Sequence, residues 1–115
     1  MFSIGEFSTI TGITVRTLRF YHELGLLVPA AVDPVTNYRT YDERNLETAK
    51  VIAALRALEF PLEQIRKILT DCRDDADALG QLERQQKVLT GKVRHYQTVL
   101  NTINQLIENE RRDSK

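Results

Sequence analysis

The last third of the chain carries the most regular hydrophobic pattern. Between residues 79 and 107, apolar side chains recur at alternating intervals of three and four positions, with one polar exception. This heptad spacing predicts a coiled-coil helix over residues 75–110, roughly 50 Å long at about 1.5 Å per residue. Such a seam needs a partner helix, and a second copy of the chain is the simplest one. The seam positions are Leu79, Leu82, Gln86, Leu89, Val93, Tyr96, Leu100, Ile103 and Ile107.

Two short helices are predicted at the start of the chain. Ser3 and Glu6 have the spacing of a capping box, and Gly12 suits the end of the first helix. Thr14 is the candidate N-cap of a second helix over about residues 15–24. Because a short connection containing glycine joins them, the pair is typical of a helix-turn-helix.

Strand-forming residues follow at Leu27–Val28 and again at residues 38–41. The sequence between them, residues 33–37, has the composition of a turn. Together they predict a small two-stranded β-hairpin, or wing, whose loop projects. Since a lone hairpin is only marginally stable in water, we expect it to pack against the helices.

Two further helices are predicted before the coiled-coil segment. Asp42 suits the N-cap of a third helix that reaches about Glu59, and Pro61 suits the first position of a fourth. Residues 71–77 form an acidic connector, and residues 111–115 are expected to fray. The predicted fold is mainly α, with a winged helix-turn-helix domain at residues 1–71 and a coiled-coil dimerisation helix at residues 75–110. The apolar stripe of the fourth helix is Leu62, Ile65, Ile68 and Leu69.

Composition narrows the function classes. No run of 18 apolar residues and no N-terminal secretory signal is found, so we expect a cytoplasmic protein. Cys72 is the only cysteine, which excludes an internal disulfide and a zinc site built from four cysteines or from two cysteines and two histidines. No nucleophile–base set and no glycine-rich phosphate loop is found, so we expect neither an enzyme nor a cofactor. The 16 basic and 16 acidic residues cancel, but local charge matters more than the sum.

The second helix contains the candidate chemistry. If Val15 and Leu18 face inward, the remaining arc presents two arginines, a threonine, Phe20 and part of a tyrosine. Arginine forks suit phosphate oxygens and guanine edges, and hydroxyls donate to phosphates. The set fits a recognition helix in a major groove. A solvated arginine pair beside core aromatics fits the same residues about equally well. The candidate residues are Arg16, Thr17, Arg19 and Tyr21, with His22 a weaker candidate for a phosphate contact.

Arg39 is a second candidate for a DNA contact, since it lies in the wing between Tyr38 and Tyr41. It is placed to reach the DNA backbone beside the groove. If Arg39 is considered alone, a structural role in which it packs on the Tyr41 ring is the better interpretation. Its position after a helix-turn-helix favours the DNA contact.

TVRTLRFYHELGLLVP at residues 14–29 and VDPVTNYRTYDERNLETAKVIAALRALEFPLEQIRKIL at residues 32–69 resemble the MerR family of bacterial transcription regulators. The resemblance rests on the helix-turn-helix, the long C-terminal helix and two short motifs. Its loop at residues 32–36 is most similar to the multidrug-responsive branch. The family pattern has glycine where this chain has Asn37, which tolerates the same left-handed backbone. The motifs are Asn37-Tyr38-Arg39-x-Tyr41 in the wing and Leu58-x-Phe60-x-Leu62 at the junction of the third and fourth helices.

The resemblance implies roles and partners. It implies a homodimer, joined through an antiparallel coiled coil, that binds a palindromic promoter site and distorts a spacer too long for bacterial RNA polymerase. It implies double-stranded promoter DNA as the ligand. In multidrug-responsive relatives an effector domain follows the long helix, whereas this sequence ends at Lys115. It therefore fits either a natural short form or a DNA-binding fragment of a longer chain. The implied DNA-binding residues are Arg16, Thr17, Arg19 and Tyr21 in the recognition helix, Tyr38 and Arg39 in the wing, and Arg56 and Lys67 in a second wing.

Two alternatives remain open at this stage. The chain could be a coiled-coil interaction partner of a longer relative, without DNA binding of its own. It could instead sense a metal or an oxidant through Cys72. One thiolate makes a poor soft-metal site, and the nearby Asp71, Asp74 and Asp75 would disfavour a reactive thiolate.

Overall fold

The computed structural model describes residues 1–114, which divide into two compact units, Met1–Cys72 and a second that begins at Arg73. The first unit contains a small sheet and four helices. The second is one long helix. The elements are β1 (Phe2–Ser3), α1 (Ile4–Thr11), α2 (Val15–Glu23), β2 (Ala31–Val32), β3 (Arg39–Tyr41), α3 (Glu43–Ala57), α4 (Leu62–Asp71) and α5 (Asp75–Asp113).

The predicted caps of α1 and α2 are confirmed. The Ser3 hydroxyl accepts a hydrogen bond from the Glu6 amide at 3.1 Å, and the Glu6 carboxylate accepts one from the Ser3 amide at 3.0 Å. Gly12 ends α1 with φ of 77°, a left-handed conformation that glycine adopts without strain. The Thr14 hydroxyl accepts from the Thr17 amide at 3.1 Å and so starts α2. These local bonds set the turn between the two helices.

The sheet has three antiparallel strands in the order β1-β3-β2, with Phe2 opposite Tyr41 and Ala31 opposite Thr40. The predicted strand at Leu27–Val28 was wrong, because the Leu27 amide donates to the Tyr21 carbonyl in α2 at 3.2 Å rather than to a neighbouring strand. The Leu27 side chain is 1% exposed and packs in the core. The strand that pairs with β3 on this side begins four residues after Leu27, at Ala31. β1 was not predicted, since two residues before a helix carry no strand pattern of their own.

The core of the first unit joins the helices to the sheet. Half-buried side chains from α3 and α4, among them Leu46, Leu62, Ile68 and Leu69, surround it. The predicted stripe of α4 therefore faces the core. The buried members are Phe7, Leu18, Leu26, Leu27, Tyr41, Ala49, Ile52, Phe60 and Ile65.

Asn45 is a buried polar residue that ties α3 to the segment before the wing. Its side-chain oxygen accepts from the amides of Ala30 at 3.1 Å and Asp42 at 3.0 Å. Its side-chain nitrogen donates to the Val28 carbonyl at 2.8 Å. The Asp42 carboxylate accepts from the Asn45 amide at 2.9 Å and completes a capping box. The predicted Asp42 cap is thus confirmed.

The junction between α3 and α4 differs slightly from the prediction. α3 ends at Ala57, before the predicted end at Glu59, because Glu59 has φ of 66° and cannot continue a right-handed helix. Pro61 is the N-cap of α4, and the first helical position is Leu62.

The helix α5 has 39 residues and is about 58 Å long at about 1.5 Å per residue. It extends to Asp113, so the predicted fraying of residues 111–113 was wrong, and Lys115 lies outside the described residues. Arg112 pairs with Glu108 at 3.1 Å, and two arginines in the last turn suit the negative end of the helix dipole. None of the helices in the described residues combines the length and the hydrophobicity that a membrane span requires.

Candidate nucleic-acid interface

The helix α2 separates a buried side from an exposed side. Leu18 is fully buried, and Tyr21 is half-buried against the core. Arg16 and Arg19 are exposed, and Phe20, next to Arg19, is 46% exposed. The predicted division of this helix is therefore confirmed, and its outer side carries the two arginines. An open groove is lined by Arg16, Thr17, Arg19, Phe20 and Glu23.

Thr17 is held in place by the cap that starts the helix. Its hydroxyl accepts a hydrogen bond from the Thr14 hydroxyl at 2.9 Å, and its amide donates to the same oxygen at 3.1 Å. The hydroxyl proton of Thr17 is then left to donate outward. A fixed hydroxyl beside two arginines has the chemistry that phosphate oxygens need.

The wing loop is closed by its own hydrogen bonds. The Asp33 carboxylate accepts from the amides of Val35 at 2.8 Å and Thr36 at 3.1 Å. These two bonds hold the pKa of Asp33 below its usual value. The Asn37 amide donates to the Asp33 carbonyl at 2.8 Å, and Asn37 has φ of 62°. The left-handed turn expected at Asn37 is therefore present, and it leaves Tyr38 exposed by 72%.

Arg39 is connected to α2. Its Nε donates a hydrogen bond to Nδ1 of His22 at 3.0 Å, in a partly buried position. The expectation that Arg39 belongs to the same surface as α2 is thus supported by a direct bond. Sequence reasoning did not find the bond, because the two residues are 17 positions apart and no local pattern connects them.

The pKa of the buried Tyr41 hydroxyl is affected by arginines from both α2 and the wing. Burial raises the pKa of Tyr41, while the positive charges of Arg39 and Arg19 act in the opposite direction. Both guanidinium groups therefore lie near the same hydroxyl, one on β3 and the other on α2. Since Arg16 and Arg19 line one groove and Arg39 is bonded to His22 of the same helix, the arginines of the helix and of the wing form one positively charged region.

Arg56 and Lys67, the two predicted second-wing residues, differ in the contacts that they make. One Nη of Arg56 donates to the Phe60 carbonyl at 3.0 Å and so helps to close the end of α3. Lys67 is exposed on α4, and no ion pair involves it among residues 1–114. The neighbouring Arg66 is paired with Glu63 at 2.5 Å. Lys67 is thus the cation on this helix that is available to an anionic ligand.

The predicted dimerisation seam lies along α5. Apart from Gln86, which is exposed, and Leu89, which is half-buried, its side chains are between 45% and 68% exposed. A row of large apolar side chains this exposed is typical of a face that another chain covers. The exposed apolar members are Leu79, Leu82, Val93, Tyr96, Leu100, Ile103 and Ile107.

Cys72 is the C-cap of α4 and is half-buried, and its amide donates to the Ile68 carbonyl at 3.0 Å. Residues 1–114 contain no group of three or more His, Cys, Asp or Glu side chains that could hold a metal ion. The position gives Cys72 a capping role at the boundary of the first unit.

Comparison with known proteins gives a consistent family. Residues 2–72 match the model described as MerR HTH family regulatory protein. The HTH-type transcriptional activator TipA of Streptomyces coelicolor is 32% identical over 107 residues, which are 93% of this chain and 41% of TipA. This family is one of transcription regulators rather than enzymes.

Two solved structures are similar over nearly the whole chain. The cryo-EM structure of an EcmrR–DNA complex in EcmrR-RPo has a TM-score of 0.87 and 30% identity, and the match covers 99% of this chain and 41% of EcmrR. The crystal structure of the N-terminus of Mta, a multidrug transporter activator of Bacillus subtilis, has a TM-score of 0.82 and 25% identity. That match covers 93% of this chain and 98% of the other. The chain thus spans about 41% of the length of TipA and EcmrR.

Proposed function

Because the chain belongs to the MerR family of helix-turn-helix regulatory proteins, we propose that it binds a palindromic promoter site as a homodimer and regulates transcription. The observation that carries the proposal is the positively charged region that α2 and the wing share. Arg16 and Arg19 line one groove, and Arg39 is bonded to the same helix. The proposed setting is the bacterial cytoplasm, where promoter DNA lies.

The proposed division of labour follows from side-chain chemistry. Arg16 and Arg19 extend from α2 into a major groove, where their planar forks read guanine edges or clasp phosphates. Thr17 and Tyr21 donate hydroxyl protons to phosphates. From the wing, Tyr38 and Arg39 contact the backbone beside that groove. On the opposite flank, Lys67 and the remaining donors of Arg56 supply weaker backbone contacts.

The proposed dimer pairs two copies of α5 in antiparallel orientation. The start of the helix is acidic, with Asp74, Asp75 and Asp77, whereas Arg111 and Arg112 lie near its end. Parallel pairing would bring the acidic starts together, and antiparallel pairing brings each beside a basic end. Two-fold symmetry then presents two recognition helices to the two halves of a palindrome.

The proposed mechanism is indirect readout. A dimer that holds two half-sites at a fixed separation stabilises a bent and untwisted spacer, so that two promoter elements realign for RNA polymerase. Bending a site of 20–30 base pairs costs on the order of 1–6 kcal/mol, which the backbone contacts of the wings must offset. The similarity to EcmrR, which was solved with DNA, supports this proposal.

The first experiment measures DNA binding by fluorescence anisotropy. The probe is a promoter duplex with a long-spacer palindrome, first the one upstream of the protein's own gene, and the control is a scrambled duplex. We expect a preference on the order of 1,000-fold and a steep dependence on salt. Arg16→Ala/Arg19→Ala should lose about 100-fold, since each arginine contact is worth roughly 1–3 kcal/mol.

A matched variant controls for loss of charge. Arg84→Ala/Lys87→Ala removes two exposed cations from α5, outside the seam, and should bind the promoter nearly as the native protein does. If the Arg16/Arg19 variant binds as well as this control, DNA binding does not depend on α2. The chain would then be a coiled-coil interaction partner.

The dimer is tested separately by analytical ultracentrifugation. Leu89→Lys/Val93→Lys introduces charges into the seam and should give monomers, because two buried ammonium groups would face a second copy. Thr98→Lys, on the exposed outer side of the same helix, should leave the dimer intact. A dimer that survives the seam variant would show that another face of α5 forms the interface.

A further inference from the structure

The hydrogen bond between Arg39 and His22 identifies which ring nitrogen of His22 is the acceptor. Nδ1 of His22 accepts from Arg39 Nε at 3.0 Å, so this nitrogen carries no proton. The neutral ring then has its proton on Nε2. Arg39 uses one of its five donors in the bond, and the four donors on its two terminal nitrogens have no hydrogen-bond partner among residues 1–114.

The bond also connects two elements that would approach DNA separately. His22 lies in the last turn of α2, and Arg39 begins β3. Arg39 is half-buried, while the adjacent Tyr38 is 72% exposed, and its side chain makes no such bond to any residue in the described range 1–114. A long arginine side chain normally loses rotamer freedom when it binds, and a side chain that is already held loses less.

We propose that His22 is a positioning residue, which holds Arg39 so that its two terminal nitrogens face the DNA backbone next to the recognition helix. The inference rests on the proposed function, since it deepens the role of the wing in DNA binding. His22 acts through Arg39 and makes no phosphate contact of its own. The imidazole supplies an uncharged acceptor, so it orients the guanidinium without neutralising the charge that a phosphate requires.

The expected change in promoter affinity follows from the rotamer freedom that the bond removes from the Arg39 side chain. Immobilising one flexible side chain at an interface weakens binding by about 3- to 10-fold. Removing the acceptor should therefore weaken promoter binding by that factor. If Arg39 then swings away from its phosphate, the slope of log affinity against log salt should fall by about 1.

The test is a double-mutant cycle in promoter affinity. His22→Leu removes the acceptor and keeps an apolar side chain of similar size. His22→Asn keeps an oxygen at the position of Nδ1 and is the matched control. Arg39→Ala provides the second edge of the cycle, and thermal denaturation is recorded for each variant, so that a loss of folding is recognised.

The expected result has three parts. His22→Leu weakens promoter binding by about 3- to 10-fold with a lower salt slope, and His22→Asn restores both. In the Arg39→Ala background, His22→Leu has no further effect. Nitrogen NMR of the free protein shows the Nε2-protonated tautomer of His22, and this tautomer preference weakens in Arg39→Ala.

Three results would overturn the inference, and they differ from each other. A His22→Leu loss that persists in Arg39→Ala would mean that His22 meets a phosphate itself. A native affinity in His22→Leu would mean that Arg39 needs no anchor. A native protein without preference for the promoter duplex would remove the proposed function and the inference with it.

Discussion

Phe7 and Tyr41 stack almost parallel, with ring centroids 4.4 Å apart and an interplanar angle of 12°. Phe7 belongs to the first helix and Tyr41 to the central strand of the sheet, and both are fully buried. An offset aromatic pair of this kind contributes roughly 0.5–1.5 kcal/mol beyond its buried area. The stack therefore stabilises the packing of the wing against the helix-turn-helix.

The Tyr41 hydroxyl has no hydrogen-bond partner in the described part of the chain. A buried polar group without a partner costs about 1–3 kcal/mol, so Tyr41→Phe should keep the stack and remove this cost. We expect urea denaturation to give a stability equal to the native value or up to about 2 kcal/mol higher. Phe7→Leu is the contrasting variant, since it breaks the stack and should destabilise. A clear loss of stability in Tyr41→Phe would mean that the hydroxyl has a partner in solution.

The same hydroxyl predicts a loss of stability in alkali. Burial raises the pKa of Tyr41 above its ordinary value of 10.0, so the unfolded chain ionises this group before the folded protein does. Between the two pKa values the unfolded state holds fewer protons, and the free energy of unfolding falls as pH rises. Stability should therefore be intact below pH 10 and decline above it. The decline should be shallower in Tyr41→Phe, which has no ionisable group there.

Asn45→Ala should be one of the more damaging single changes in the first unit. It removes the side-chain acceptor of two amides and the donor to the Val28 carbonyl, in a residue that is 9% exposed. We expect a loss of about 2–4 kcal/mol in chemical denaturation, because buried backbone groups would be left unpaired. Glu47→Ala, two positions further along the same helix and exposed, should change stability by less than about 0.5 kcal/mol. Equal stabilities would show that water replaces the lost bonds.

Asn37 tests the backbone of the wing. Its φ of 62° is strained for a β-branched side chain, so Asn37→Val should destabilise by roughly 1–2 kcal/mol. Asn37→Gly should be nearly neutral, since glycine adopts this conformation freely but gains entropy in the unfolded chain. The comparison uses thermal denaturation of the two variants beside the native protein. Similar effects of valine and glycine would mean that the loop has another conformation in solution.

Lys67 and Arg66 form a matched pair for the second wing. Lys67 is free of ion pairs among residues 1–114, whereas Arg66 is already paired with Glu63, whose pKa is lowered by that bond. Lys67→Ala should weaken promoter and scrambled DNA alike by a few-fold and reduce the salt slope by about 1. Arg66→Ala should have the smaller effect, because its charge is partly balanced. The reverse order would place Arg66 against the DNA.

The sequence predicted the parts of the fold that short-range rules control. Ser3, Thr14 and Asp42 each cap a helix through a residue three positions away, so a local pattern was enough. The strands were harder, because two residues at Phe2–Ser3 become a strand only when β3 lies beside them. The strand predicted at Leu27 was wrong, because long-range packing in the core and a bond to the Tyr21 carbonyl decide its conformation.

The candidate site was predictable to a similar degree. The spacing of α2 placed Arg16 and Arg19 outward, because helical periodicity and the burial of Leu18 are enough to decide this. The bond from Arg39 to His22 crosses two elements and depends on how the wing packs. The bond from Arg56 to the Phe60 carbonyl depends on how α3 ends, and the α3–α4 junction was only partly predicted. The roles of these residues in DNA binding stay predictions.

The wing loop has its shape before any ligand arrives. Asp33 alone accepts three of the bonds that close residues 33–38, two through its carboxylate and one through its carbonyl. A preorganised projection loses little conformational entropy on contact, unlike a segment that folds as it binds. Association with a duplex should therefore resemble the docking of a rigid body, with rates governed by electrostatic steering. The Arg39–His22 bond in turn holds the wing at a fixed distance from α2, so we expect a groove of the wrong width to bind more weakly.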